Sequence, residues 1–350
     1  MSTRRTTLSV LDLVPVRSDQ ATGDALRATL ALARTADELG IRRYWVAEHH
    51  NMPGVAATNP PVLIALVASA TERLRVGSGG MMLPNHAPLV VAEQFALLEA
   101  AFPGRIDLGI GRAPGSDPVT SYALRHGAGG VEDDAVARFP SYVDNVVSMM
   151  SPGGVGIQVQ GRMHPLNATP HATSVPPVWL LGSSDYSARL AAQRGLPYVF
   201  AHHFAGQGTA EALALYRTNF QPSELLAEPR TFLTVNAAVA KTQEEADRLA
   251  LPQLESMVAL RTGGQLRPQR LVEEVEKDPI PDAHRAVLQG MRSRWVIGDA
   301  ETAARQIRDL ASTYGVDEVM IHPVGGAYVG TPPESTPSRE ETLRLLAEAI

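Results

Sequence analysis

Short runs of β-branched and aliphatic residues alternate along this chain with longer segments whose apolar residues recur every three or four positions. The short runs predict eight strands, at residues 6–14, 43–47, 74–77, 106–110, 178–181, 198–202, 231–239 and 318–321. The longer segments predict helices at residues 24–40, 60–74, 88–102, 187–195, 209–220, 243–260 and 299–315. Several of these helices carry end signals in the sequence, namely Pro60, Gly40, Gly195 and Asp299.

Strict alternation of strand and helix favours a parallel α/β sheet, and eight units favour its closure into a (βα)8 TIM barrel. An open doubly wound sheet is the alternative fold. A barrel of this kind needs about 250 residues, so a single domain over residues 1–350 leaves room for insertions. We place them at about 115–140, 153–177 and 263–290. We expect them at the C-terminal face, the first two as candidate lids, the second as a hairpin and the third as helical or mobile.

Composition narrows the classes of function. The chain has 44% hydrophobic and 19% charged residues, a net charge of −6 and no run of basic residues, which argues against a nucleic-acid partner. The absence of cysteine excludes disulfides and thiolate chemistry, so any redox reaction needs a cofactor. No apolar run approaches about 18 residues, and the N-terminus does not resemble a signal peptide. We therefore expect a cytoplasmic protein with no membrane partner.

Residues 75–88, RVGSGGMMLPNHAP, begin as a strand. The strand leads into Gly-Ser-Gly-Gly at residues 77–80, where side chains are small or absent. They fall at the C-terminal end of the third predicted strand, which is the catalytic face of a barrel. Glycine inside a strand marks a bulge or a place where another group approaches the backbone closely. The run from Gly77 to Gly80 is therefore compatible with a tight turn or with a seat for a flat ligand.

The sequence resembles the bacterial luciferase-like flavin-dependent oxidoreductases, and it looks closest to the single-chain luciferase-like monooxygenases. The resemblance is carried by AEHHN at residues 47–51, the long segment from RVGSGG to GIGRAPG at 75–115, WLLGSS at 179–184 and GLPYVFAHHF at 195–204. Together with WVIGDAETAARQIRDLA at 295–311 these motifs span nearly the whole chain. The long central segment is the most specific of them.

The resemblance implies a barrel that holds FMN at its C-terminal face. It places the isoalloxazine ring against the backbone after the third strand, beside Ser78, where a non-proline cis peptide recurs in relatives and Gly79-Gly80 is the counterpart. It implies that the phosphate lies near Arg112, with further contacts from Gly111, Gly182, Ser183, Ser184 and Ser187. Asp185 is a repulsive neighbour of that site. Gly298, with Asp299 as helix cap, is the competing phosphate site, and we prefer the first.

Two histidine pairs follow predicted strands, His49 with His50 and His202 with His203. Neighbouring strand residues point to opposite faces, so neither pair chelates one metal, and we expect no metal. Each pair could equally contain one packed or capping histidine. The resemblance implies that His49 faces the flavin as a catalytic general base or proton shuttle, with Glu48 orienting it or purely structural. It also places His202 near the ring, with Asn85 and His86 nearby but without an assigned chemical role.

The expected reaction follows from the cofactor. Reduced FMN and O2 would form a C4a-peroxyflavin that passes one oxygen atom to a small organic substrate, as in hydroxylation or epoxidation during natural-product tailoring. No NAD(P)H motif is visible, so a separate NAD(P)H:flavin reductase is the expected partner. GIGRAPG fails as a dinucleotide fingerprint because position 114 is proline and a long irregular loop follows. Relatives commonly dimerise through barrel helices, so we expect a homodimer.

Three other functions remain open from the sequence. The same family contains enzymes that use the deazaflavin F420 as a hydride donor. A non-catalytic flavin-binding barrel is also compatible with every motif. A Schiff-base aldolase barrel needs a lysine at its mouth, and Lys241 is the one lysine that follows a predicted strand.

Overall fold

Twelve strands are present in the computed structural model, which describes residues 6–113, 117–126, 135–264 and 266–350. Eight parallel strands, β1, β2, β3, β5, β8, β9, β10 and β12, close into a barrel, because the path from β10 through β12 and β1 to β9 is completed by the pairing of β9 with β10. The strands are β1 (Thr7–Asp12), β2 (Arg43–Val46), β3 (Arg75–Ser78), β4 (Met81–Met82), β5 (Ile106–Gly111), β6 (Val155–Val159), β7 (Arg162–Leu166), β8 (Val178–Gly182), β9 (Tyr198–Phe200), β10 (Thr231–Ala240), β11 (Val296–Asp299) and β12 (Glu318–Pro323).

The eight barrel strands correspond to the eight predicted ones, and the open sheet is excluded by the closed ring of pairings. Two differences matter. The sixth barrel strand, β9, ends at Phe200 and not at position 202. A further strand, β11, was not predicted; it lies outside the ring and pairs in parallel with the extended end of β10.

Thirteen α-helices are found in the described part of the chain. Seven correspond to the predicted segments, and Asp299 and Gly195 occupy the cap positions expected of them. The helices are α1 (Thr22–Glu38), α2 (Pro60–Ser69), α3 (Pro88–Ala101), α4 (Pro118–His126), α5 (Phe139–Met150), α6 (Asp185–Arg194), α7 (His202–Ala205), α8 (Thr209–Thr218), α9 (Gln243–Arg261), α10 (Val272–Lys277), α11 (Arg285–Arg292), α12 (Ala300–Tyr314) and α13 (Pro337–Ala349).

The three predicted insertions contain regular structure where they are described. The segment 153–177 contains the antiparallel hairpin β6–β7, as expected. The segment 263–290 contains α10 and most of α11 and is therefore partly helical where it is described. The segment 115–140 contains α4, and its residues 115–116 and 127–134 lie outside the described residues.

The barrel interior is filled in layers by alternate residues of the strands. The layer nearest the N-terminal ends is charged: buried Arg43 donates hydrogen bonds to Asp107 at 2.7 Å and to Glu318 at 2.6 Å. Such a buried cation is tolerated because two carboxyl groups accept its hydrogen bonds. An apolar layer lies above it, formed by Leu11, Trp45, Trp179, Val199, Phe232 and Met320. These layers fill the barrel interior below the C-terminal ends of the strands.

Candidate active site

A cavity of about 360 Å³ opens at the carboxyl ends of the barrel strands. This volume is within the range of about 300–1,000 Å³ typical of small-molecule and cofactor sites. All eight barrel strands or the residues directly after them contribute to its wall, and Gln253 and Met257 of α9 add a part of it. Nine of the predicted site residues line this one cavity: His49, Gly79, Gly80, Gly111, Arg112, Gly182, Ser183, Ser184 and Ser187.

The backbone of Gly79 and Gly80 forms part of this wall, and the peptide bond between them is cis, as the resemblance implied. A Cβ atom on Gly80 would lie 2.5 Å from Leu181 Cδ1 and 2.8 Å from the Gly109 carbonyl oxygen. The space at this position is thus already filled by neighbouring strands. Ser78 does not line the cavity; its buried hydroxyl donates to the Gly109 carbonyl oxygen at 2.8 Å and fixes β3 against β5.

Gly80→Ala is expected to lower the free energy of unfolding by about 1–3 kcal/mol, because overpacking forces side-chain and backbone shifts. Gly111→Ala is the matched control, since a Cβ there meets nothing closer than the Met81 carbonyl oxygen at 3.9 Å. We expect the control to stay within about 0.5 kcal/mol of the parent protein. Urea unfolding of the three proteins measures the difference, and equal midpoints for Gly80→Ala and the parent would contradict this account of the glycine.

One end of the cavity is suited to an anion. Arg112 follows β5, its guanidinium carbon lies 4.0 Å from the centre of the Tyr186 ring, and no described carboxylate forms an ion pair with it. Helix α6 begins beside it with Ser184 as N-cap, but the Ser184 side chain makes no capping hydrogen bond. The N–H groups of the first turn are therefore available to a ligand. A guanidinium with no ion pair among the described residues and a helix N-terminus without a side-chain cap together favour a phosphate or a carboxylate.

The acidic neighbour of this end does not block it. Asp185 is exposed and its carboxylate accepts a hydrogen bond from Arg189 Nε at 3.2 Å, one turn along α6. The competing anion position before α12 is occupied by the protein itself: the Asp299 side chain accepts from the Thr302 N–H at 2.9 Å. A carboxylate already satisfies that helix N-terminus, so the Arg112 end is the better anion site.

A buried carboxylate, Glu48, organises the side of the cavity next to β2. Its Oε1 accepts from the Nε2 atoms of His50 and His86, each at 2.7 Å, and its Oε2 accepts from the Met82 N–H at 2.8 Å. Burial opposes ionisation, but the hydrogen bonds from His50, His86 and Met82 prevail and lower the pKa of Glu48 to about 2. Neither His86 nor Asn85 lines the cavity, so His86 has a structural role in holding Glu48.

His49 lines the cavity and is not held by Glu48. Its Nδ1 atom is buried and has no hydrogen-bond partner among the described residues. Burial lowers the pKa of His49 to about 4, with the charge of Glu48 opposing and His50 adding to that shift. The imidazole is therefore neutral near pH 7, and it presents a ring that can accept a proton from a group in the cavity.

Two further histidines, His203 and His322, line the cavity. His203 Nδ1 is 2.8 Å from Thr234 Oγ1, and His322 Nδ1 is 2.8 Å from Asn236 Oδ1. Asn236 also donates to the His203 carbonyl oxygen at 2.8 Å, which ties the two histidines together. Burial, together with neighbouring histidines, lowers the pKa of His203 to about 4, and burial lowers that of His322 well below its ordinary value. This polar part of the cavity wall, formed by His203, Asn236 and His322, was not predicted.

The placement of His202 is a correction. Because β9 ends at Phe200, strand alternation stops there, and His202 begins the short helix α7. Its Nδ1 lies 2.8 Å from Thr209 Oγ1 and its ring contacts Tyr314, with 5.4 Å between ring centres. His202 therefore does not line the cavity, and the neighbouring His203 does.

A comparison with known protein families agrees with this fold and with the residues that line the cavity. The family description "luciferase-like monooxygenase" matches residues 6–318. The chain belongs to this family. A luciferase-like monooxygenase of Escherichia coli K12 is 39% identical over 330 residues, 92% of each chain. The crystal structure of apo-MsnO8 superposes with a TM-score of 0.85 at 32% identity and covers 99% of this chain and 98% of that one.

More distant solved structures share the fold alone. The oxygenating constituent of 3,6-diketocamphane monooxygenase from Pseudomonas putida, a Baeyer–Villiger enzyme in complex with FMN, is 18% identical with a TM-score of 0.72 over 98% of this chain and 97% of that one. An F420-dependent secondary alcohol dehydrogenase is 14% identical with a TM-score of 0.65 over 98% of this chain and 99% of that one. The barrel of luciferase-like monooxygenases is thus found with both kinds of cofactor.

A Schiff-base aldolase finds less support in the described residues. Lys241 is exposed and does not line the cavity, so it is not placed for a Schiff base. No group of three or more histidine, aspartate or glutamate side chains in the described residues could hold a metal ion. The β6–β7 hairpin does not contribute to the cavity wall. None of the helices described is both long and apolar enough to span a bilayer.

The neutral histidines predict a pH dependence of stability for this luciferase-like protein. An unfolded histidine has a pKa near 6.5, whereas His49 and His203 have pKa values of about 4 when folded. Between these values the unfolded chain binds more protons, so the free energy of unfolding falls as the pH is lowered, by up to about 1.4 kcal/mol per pH unit for each histidine.

His203→Gln should remove part of this slope, and Gln in place of the exposed His171 should not. Urea unfolding between about pH 5 and pH 7 measures it, a window that lies above the ordinary carboxylate pKa values. A slope equal to that of the parent protein in His203→Gln would show that His203 is not held neutral by the fold.

Proposed function

We propose that this chain is an FMN-dependent monooxygenase that uses reduced FMN and O2 to place one oxygen atom in a small organic substrate. Reduced flavin supplies two electrons and two protons, so that one oxygen atom enters the substrate and the other leaves as water. The observation that carries the proposal is the cavity itself. The Gly79-Gly80 backbone, Arg112 and the start of α6, which together are suited to a flat ring and an anion, all line it.

In this proposal the Arg112 end binds the phosphate. The guanidinium would pair with phosphate oxygens, and the N–H groups at the start of α6 would donate to the same group. Gly182 and Ser187 shape this end, since a Cβ on Gly182 would lie 2.6 Å from Ser187 Oγ. The ring system would then extend toward Gly79 and Gly80, with Ser183 and Ser184 on the phosphate side.

His49 is proposed to move a proton at its Nδ1 atom, the buried ring nitrogen that has no hydrogen-bond partner in the part of the chain that the structure describes. The imidazole is neutral near pH 7, so its unprotonated nitrogen can accept a proton from the substrate or from the oxygen group during transfer. Leu11, Leu13 and Leu181 line the same cavity and exclude water from it. An apolar lining of this kind would limit the unproductive reaction, in which the electrons reduce O2 only as far as hydrogen peroxide and no oxygen atom enters the substrate.

A binding and turnover experiment tests the proposal. Titration of the purified protein with FMN, riboflavin and F420, followed by flavin fluorescence, should give tightest binding for FMN. Oxygen uptake with chemically reduced FMN should yield an oxygenated product from at least one member of a panel of thioethers, ketones and aromatic compounds. Preference for F420 would favour hydride transfer, and FMN binding without any product would favour a non-catalytic flavin-binding barrel.

The partners of the enzyme are also proposals. A separate NAD(P)H:flavin reductase in the cytoplasm would supply reduced FMN. A homodimer is supported by an exposed apolar stripe on neighbouring helices: Val62 and Leu66 are one turn apart on α2, and Val90 and Leu97 are two turns apart on α3. Exposed apolar patches of this kind mark protein contacts. A monomeric mass in light scattering would contradict the dimer.

A further inference from the structure

A second, smaller pocket adjoins the main cavity and shares His203, Phe204 and Met257 with it. Its volume of about 10 Å³ is room for one small polar group, such as a water molecule or an acid oxygen. Two arginines line it, Arg261 at the end of α9 and Arg294 after α11. The described residues lining this pocket include no carboxylate.

The two arginines lack the partners that neighbouring arginines have. No described carboxylate pairs with Arg261 or Arg294; Arg261 instead donates to the Phe204 carbonyl oxygen and lies over the Phe204 ring, 5.3 Å from its centre. The positive charge of Arg294 adds to burial in lowering the pKa of His202. Four other arginines of the same region are each neutralised by a carboxylate, in the pairs Arg248–Glu276, Arg270–Glu255, Arg285–Asp282 and Arg292–Asp247.

We propose that Arg261 and Arg294 bind a carboxylate of the organic substrate, whose reacting part lies in the main cavity. This inference rests on the proposed oxygenase function and names the substrate class, an organic acid with an apolar body. A guanidinium fork matches the geometry of a carboxylate and is always charged. The phosphate of the cofactor is accounted for by Arg112 and α6, so the second cationic position serves a second anionic ligand.

The lining of the main cavity fits such a substrate. Next to the small pocket its wall contains Met257, and further residues of the wall are apolar, among them Leu13, Met82 and Leu181. An apolar chain or ring would contact these side chains while the acid group reaches the two arginines. His49 lies on the same cavity wall, so it can act on a substrate anchored in this way.

Acid and ester pairs test this inference. We would titrate the FMN-loaded protein with hexanoate, benzoate and 3-phenylpropionate and with the methyl ester of each, and follow the flavin spectrum and the heat of binding. At least one acid should bind about tenfold or more tightly than its ester, and Arg261→Gln combined with Arg294→Gln should reduce this preference by about tenfold to a hundredfold, the usual effect of losing charge-assisted contacts. Ester binding should be unchanged.

Arg292→Gln is the matched control, because Arg292 is two residues from Arg294 and pairs with Asp247 at 2.5 Å. It should keep the preference for acids. The inference is wrong if no acid binds more tightly than its ester, or if the double variant keeps the preference. It is also wrong if the double variant loses its preference for FMN over riboflavin, since the arginines would then bind the cofactor phosphate. Calorimetry on flavin-free protein reports acid binding independently, so failure of FMN to bind contradicts the proposed function separately.

Discussion

Arg112→Ala should weaken FMN binding by about 1.5–3 kcal/mol, or roughly 10- to 150-fold, which is the usual cost of losing a hydrogen bond to a charged group. Riboflavin has no phosphate, so its affinity should be nearly unchanged. The physical reason is that Arg112 has no ion pair with any described carboxylate and stands beside an uncapped helix N-terminus. Fluorescence titration with both ligands measures the two affinities.

The matched control for this experiment is Arg189→Ala. Arg189 lies on α6 close to the same helix start, but its side chain is exposed and contacts Asp185. Its loss should change FMN affinity by less than about threefold, since exposed ion pairs contribute only about 0–1 kcal/mol. If Arg112→Ala lowers FMN and riboflavin affinity equally, Arg112 acts on the fold or on the ring and not on the phosphate.

His49→Ala should slow oxygenation of a substrate by about a hundredfold to ten-thousandfold, the usual contribution of a positioned acid or base. Flavin affinity should change far less, because the imidazole is neutral near pH 7 and carries no charge that pairs with the cofactor. Product formation with chemically reduced FMN gives the rate, and flavin fluorescence gives the affinity. The rate of the parent protein should be independent of His49 ionisation above about pH 6, two units above its pKa of about 4.

His49→Gln separates proton transfer from packing, because glutamine fills most of the space but cannot take up a proton at neutral pH. It should be as slow as His49→Ala. His164→Gln, on the exposed hairpin, is the control for the substitution itself. Full activity in His49→Gln would move proton transfer to another group, for which His203 and His322 are the available cavity residues.

The barrel strands were predictable because each is a mostly buried run rich in β-branched, aliphatic or aromatic residues that lies between helical segments. The strand β11 was missed for a physical reason. Only four residues long, it ends in Gly298 and Asp299, which the sequence equally supports as the entry to a helix, and Asp299 does cap α12. The helices α5 and α13 were missed although both are amphipathic and begin near a proline.

That Gly79-Gly80 and Arg112 line one cavity was likewise predictable, because specific motifs follow β3, β5 and β8. The His203, Asn236 and His322 wall was not predicted. Its signal was period-two alternation: Asn236 lies four residues after the inward-facing Phe232, and His322 two after the inward-facing Met320. The resemblance pointed to His202, but β9 ends at Phe200 and a helical turn begins at His202, so His203 and not His202 lines the cavity.

A crystal structure of the FMN complex tests the central claim most directly. The account predicts that the phosphate lies within hydrogen-bonding distance of the Arg112 guanidinium and of the first N–H groups of α6. It predicts equally that one face of the ring system contacts the Gly79-Gly80 backbone, with His49 beside it. A flavin bound elsewhere, or a phosphate held by Arg261 and Arg294 while Arg112 contacts solvent, would contradict it.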